Sequence, residues 1–185
     1  MGFYPVGGLA PTPEKKDKEM AYFYPYADPD LSLTDFRYID WLVLGRGPET
    51  LKRGDREAMY VVMEDYAVHM KIDGKPFLIV VPKGMTTDMA SVPKIFRNIV
   101  GRIGPHLEAC IVHDWLYIAW QLQNRMPTRA DHKFANRVLY AGAKAAGCNW
   151  VTRTALKIAM EAPMFSWSVF KGRDKNLFVS LEGIS

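Results

Sequence analysis

The chain has 185 residues, 49% hydrophobic and 24% charged, with 24 Lys and Arg against 20 Asp and Glu. That is apolar material for one domain with a proper core and cramped for two, and a net charge of +4 falls far short of a nucleic-acid binder's signature. Two widely separated cysteines, no apolar run of about eighteen residues and no charged start leading into an apolar stretch predict synthesis in a reducing cytoplasm, with no signal peptide, membrane span or zinc spacing, and a disulfide possible but unneeded.

Residues 1 to 35 read as an extended arm, followed by a single domain over 36–185. Pro5, Gly7, Gly8, Pro11, Pro13, the charged run from Glu14 to Glu19, Pro25 and Pro29 interrupt any long helix or strand. Phe3, Tyr4, Tyr22, Phe23, Tyr24 and Tyr26 are contact surfaces that a solvated linker would not need. They are expected to fold back on their own domain or to bind a neighbouring chain.

From Phe36 the residues turn strand-like, with Ile39, Trp41, Val43 and Leu44 rich in β-formers before Gly45-Arg46-Gly47-Pro48. Ala58 to Lys71 and Pro76 to Val81 then flank Asp73-Gly74, which predicts a hairpin with each limb one strand. Its second limb is nearly continuous in apolar residues, so both of its faces should be covered. His69, between polar neighbours, is expected at the surface or on an edge.

Thr86 to Pro93 links sheet to helix. Ser91 is placed to cap a helix whose first turn holds Pro93 and whose stripe is Ile95, Phe96, Ile99 and Val100. Asp88 is either a second cap or a site residue, and is the best candidate for a second metal ligand. Next come two facing amphipathic helices, one marked by Leu107, Cys110, Ile111 and Leu116, the other by Phe134, Val138 and Leu139. His113 and Tyr117 lie four apart on one face, and Asp131 falls on the buried side of the second helix, so a His, an Asp and a Tyr are expected to meet. Such a trio is either a catalytic constellation or a buried network that fixes how two helices dock. Gly142 and Gly147 loosen the end of the second helix. A third helix is expected from Asn149 to Glu161, broken at Pro163, then an aromatic lid over Phe165 to Phe170 and a short strand over Leu177 to Leu181. The fold class is α+β: a small antiparallel sheet packed by helices.

The order Cys110-x-x-His113-Asp114-x-x-Tyr117, with an Asp a short way downstream, resembles the two-helix core of the calcium-dependent secretory phospholipases of the A-two type over residues 109 to about 140. That resemblance implies that His113 is a general base drawing a proton from water and that Asp114 is the side-chain ligand of a calcium ion, weakly held. It also implies that Asp131 holds the imidazole in its working tautomer, with the Tyr117 hydroxyl on the same carboxylate. The disulfides of that family are absent, and Gly101-Arg102-Ile103-Gly104-Pro105 stands closer to His113 than its calcium loop does. A second resemblance runs from about residue 59 to about 165. Thr87-Asp88-Met89-Ala90-Ser91-Val92-Pro93, His113-Asp114-Trp115-Leu116-Tyr117 and Arg129-Ala130-Asp131 with Phe134 are similar to an uncharacterised domain family common in tailed-bacteriophage genomes. It implies a phage-encoded chain and supplies no established activity; given that origin, the aromatic arm is expected to dock on other virion proteins, with the chain incorporated in the virion.

Two functions from different classes follow. One is a metal-assisted lipid or ester hydrolase with a lipid or cell-envelope substrate. The other is a structural component of the tail, baseplate or connector region in which the His/Asp cluster does no chemistry.

Overall fold

Asp73 and Gly74 both adopt positive φ, 50° and 76°, the pair of left-handed conformations that a two-residue hairpin turn demands and Asp-Gly accommodates. The turn joins Tyr66–Ile72 to Lys75–Val81 in continuous antiparallel register from Ile72↔Lys75 to Tyr66↔Val81. The computed structural model describes residues 25–47, 52–53, 56–57, 60–87, 104–123, 125–161, 167, 170–172 and 177–181. In chain order its strands are β1 (Leu33–Tyr38), β2 (Leu44–Arg46), β3 (Lys52–Arg53), β4 (Arg56–Glu57), β5 (Tyr60–Val62), β6 (Tyr66–Ile72), β7 (Lys75–Val81) and β8 (Thr86–Thr87), followed by helices α1 (Leu107–Leu122), α2 (Arg129–Ala145) and α3 (Trp150–Glu161). The strands pair antiparallel in small sheets ordered β1-β6-β7, β2-β5-β8 and β3-β4. The architecture is α+β.

The first limb of the hairpin is not one strand. It breaks at Met63–Asp65, where Met63 N–H turns to Val43 O at 2.9 Å and the Asp65 carboxylate accepts Lys83 N–H at 2.9 Å. β5 therefore belongs to one sheet and β6 to another. His69 is likewise not on an edge: β6 is the central strand of its sheet, and His69 is half-buried opposite Arg37 and Leu78. The strand expected to run on to Leu44 stops at Tyr38, because the Asp40 carboxylate takes Ala67 N–H at 3.1 Å. Residues 39–43 cross to β2 outside any strand, leaving Trp41 92% exposed. Aromatic and β-branched residues favour a pleated, half-buried surface, and here that surface is missing.

Of the arm expected over residues 1 to 35, the described part from residue 25 packs on the domain. Tyr26 and Leu33 lie against the main core, the Tyr26 hydroxyl donates to Leu116 O, and Leu33 opens β1 opposite Ile72. Residues 1–24 lie outside the described residues, as does the helix expected after Ser91.

α1 departs from the amphipathic expectation: Ala109 through Leu116 are all buried, as are Ile118, Ala119 and Trp120, so the helix is enclosed on every side. α2 is amphipathic, burying Phe134, Ala135, Val138, Leu139 and Ala143. Gly142 does not loosen α2 but lets it approach closely: a Cβ there would stand 2.9 Å from the Ala109 Cβ and 3.0 Å from the Tyr38 hydroxyl. Gly147, at φ 77°, ends the helix in the left-handed conformation. One core joins β5, β6 and β7 to α1, α2 and Phe170; a smaller one joins Ala109, Cys110, Leu139 and Ala143 to Ala155 and Leu156 of α3. Phe170 is fully buried with Trp167 packed on the same core, which is the lid expected of the aromatic segment. The last strand is reduced to a bridge between Met85 and Phe178. Cys110 and Cys148 are not joined, and among the described residues no helix is long and apolar enough to cross a membrane.

Candidate polar site in the helix seam

α1 and α2 run antiparallel, so positions pair across the seam with a nearly constant sum. Ala109 meets Gly142, His113 meets Asn136 and Tyr117 meets His132. Two polar pairs, each four residues apart on its own helix, are thereby brought together. The amide of Asn136 is their hub. Its Oδ1 lies 3.1 Å from His113 Nε2 and accepts the Tyr117 hydroxyl at 3.2 Å, while its Nδ2 donates to Met160 O of α3 at 3.2 Å and stands 3.5 Å from His132 Nε2. The His113 and Tyr117 rings are tilted against one another with centroids 4.1 Å apart.

The surroundings are apolar. Phe170 meets Tyr117 edge-on at 4.7 Å and His132 at 5.3 Å, Trp167 stacks on Phe170, and the Arg129 guanidinium covers the Trp167 ring at 4.2 Å. His113 and His132 are buried, while Tyr117 and Asn136 are half-buried, so the centre reaches the surface along the Tyr117 and Asn136 side. Burial pushes the His113 pKa down to about 4, with the Asn136 hydrogen bond opposing and His132 adding to the fall. Burial takes His132 down to about 4 as well, helped by Arg129. Both rings are neutral at pH 7. Burial raises the Tyr117 hydroxyl pKa, keeping it a donor.

Asp131 is not part of this centre. It lies five residues before Asn136, about 7.5 Å along the axis, at the third position of α2. There its Oδ2 accepts Thr128 N–H at 2.9 Å while Thr128 Oγ1 accepts Asp131 N–H at 3.1 Å, a capping box, and the same Oδ2 takes Arg125 Nη1 at 2.5 Å. The expected bonds from His113 and Tyr117 to Asp131 are made to Asn136 instead. Helix geometry explains the error: Asp131 is inward-facing but one turn too early to sit opposite His113. Thr128-x-x-Asp131 ahead of an apolar run is itself a capping signal. Asn136 and His132 were missed, and the clue was their four-residue spacing, which repeats that of His113 and Tyr117.

Asp114 faces another way. Its Oδ2 accepts the Thr87 hydroxyl at 2.8 Å, tying α1 to the end of β8, with both residues buried. Asp88, expected as a further ligand, lies outside the described residues, as do 101–103 of the expected carbonyl loop. Calcium needs six to eight oxygens, and among the described residues no group of three or more His, Cys, Asp or Glu could hold a metal ion. The described donors around Asp114 do not by themselves make up a calcium site.

An α+β domain whose helices clamp a two-histidine polar seam is the class that fold and site define. Residues 60–160, more than half of the chain, match the profile described as "Protein of unknown function (DUF1353)", and the chain belongs to that family. The matched span contains β5 to β8, α1, α2 and nearly all of α3, hence the whole seam. No curated protein and no solved structure matches the chain.

Proposed function

We propose that this domain is a hydrolase of lipid or other ester bonds in which His113 is the general base. The observation that supports this reading is the position of His113: a buried ring neutral at pH 7, held at Nε2 by an acceptor on the facing helix that it shares with half-buried Tyr117, and one residue from Asp114. That is the arrangement implied by the phospholipase resemblance, with the Asn136 amide where a carboxylate was expected. In the reaction, water gives a proton to His113 Nδ1 as its oxygen adds to the ester carbonyl carbon. The tetrahedral intermediate then collapses with cleavage of the carbon–oxygen bond, and the imidazolium returns the proton to the leaving alkoxide, leaving an acid and an alcohol. Calcium enters only as a weakly bound ion at Asp114, with Asp88 as a further ligand, and carries no step.

The order of the three motifs supports a phage origin, and with it a chain carried in the virion whose N-terminal arm docks on another virion protein. A second reading has a specific observation behind it: Asn136 is neutral and links α1 and α3 to α2, which suits a purely structural network in a tail, baseplate or connector protein. The two are separated by assaying the full chain on phospholipid vesicles and soluble esters, with and without calcium. Turnover that disappears in His113→Gln supports the hydrolase; a wild-type chain inert on every ester leaves the structural component.

A further inference from the structure

The Asn136 amide is not free to choose its orientation. Met160 lies one residue from the end of α3, where the last turn's carbonyls have no partner within the helix, and its oxygen takes Asn136 Nδ2 at 3.2 Å. A carbonyl can only accept, so the NH₂ must face Met160 and Oδ1 must face α1. Oδ1 in turn can only accept. The Tyr117 hydroxyl therefore donates to it, and so must His113 Nε2, which fixes the proton of the neutral ring on Nε2 and the lone pair on Nδ1. The remaining amide hydrogen faces His132 Nε2 at 3.5 Å, where that ring nitrogen has to be the acceptor.

We propose that the C-terminal turn of α3, acting through the Met160 carbonyl and the Asn136 amide, sets the tautomer of His113 and so reserves Nδ1 for the proton taken from water. Asn136 is thus a positioning residue and α3 part of the site, through a backbone carbonyl. Its catalytic meaning rests on the hydrolase reading. The tautomer itself rests on geometry alone, and the two can fail separately.

Two-bond nitrogen–proton correlation spectra of the full chain, labelled with nitrogen-15, report which ring nitrogen carries hydrogen, with no substrate present. At pH 7 wild-type His113 is expected as a single Nε2–H form. Asn136→Leu removes the acceptor. Glu161→Pro drives residue 160 out of the helical region and swings its carbonyl away, while Glu161→Ala is the control that should leave the spectrum unchanged. Either of the first two, in whichever folds, should give a mixture of tautomers and lower kcat at constant KM. A wild-type ring protonated on Nδ1, or a pure Nε2–H form persisting in a folded variant, would overturn the proposal. The expected tautomer in a chain without esterase activity would sink the hydrolase reading and leave this one standing.

Discussion

At its first turn α2 carries Asp131, and five residues later Asn136; both side chains are turned inward, yet only the first is a carboxylate. The charged one sits where the helix start exposes backbone N–H groups and where Arg125 arrives, so Thr128 N–H and a guanidinium converge on its Oδ2. The amide sits deeper along the seam, where the donors are a neutral ring and a phenol, and where Met160 offers an acceptor that a carboxylate could not satisfy. Charge on this helix follows the supply of cationic and orphan donors, and the seam itself is built from neutral groups.

The largest test of that contrast is pH. The folded pKa values of His113 and His132, about 4, lie below the ordinary 6.5. The unfolded chain therefore binds protons that the folded one refuses. Stability is full above pH 6.5 and falls as pH drops toward 4, by on the order of 3 kcal/mol for buried His113 and by less for His132, where solvent screens the charge, which urea unfolding at stepped pH would measure. A flat profile across that window would mean the seam is not dry. Hydrolysis, if present, should persist below pH 6 for the same reason. His113→Gln comes next: ester turnover should fall by about a hundredfold or more, with Tm nearly unchanged because Gln can still reach Asn136. A drop of many degrees with no turnover in either chain would favour the structural reading.

Asp131→Ala should do the opposite. It loses a cap and an ion pair, costing about 1–2 kcal/mol, or a few degrees of Tm by calorimetry, while leaving turnover intact. An Asp131→Ala chain as inactive as His113→Gln would break the comparison, since it would couple the corner to the centre. The smallest effect belongs to calcium. With millimolar or weaker affinity, about 0.1 mM of the ion should stabilise the chain by no more than roughly 0.1 kcal/mol, and a clear Tm shift at that concentration would reveal a complete shell around Asp114.

Much of this fold is legible in the chain. Asp73-Gly74 marks the turn because its two left-handed residues are a local demand, and Gly147 marks a helix end for the same reason. The break at Met63–Asp65 is not local: it depends on Val43 and Lys83 supplying distant partners, which no window over Ala58 to Lys71 contains. The site divides the same way. His113 and Tyr117 share a face by helical arithmetic, but which α2 residue meets them depends on the stagger of two helices. That stagger is set in part by the close approach at Gly142. A carboxylate was the natural partner to choose for an imidazole, and the capping box had a stronger hold on it.

The enclosure of α1 on all sides has a consequence for how the molecule opens. Its backbone amides from Ala109 to Leu116 are covered by strands and helices alike, so no single neighbour can lift away and let deuterium in. Those amides should exchange only when the whole domain unfolds, making α1 the slowest clock in the protein. His113 and Asp114 ride on that clock. The polar centre is thus carried by the element that breathes least, with Met160 contributing from the last turn of α3.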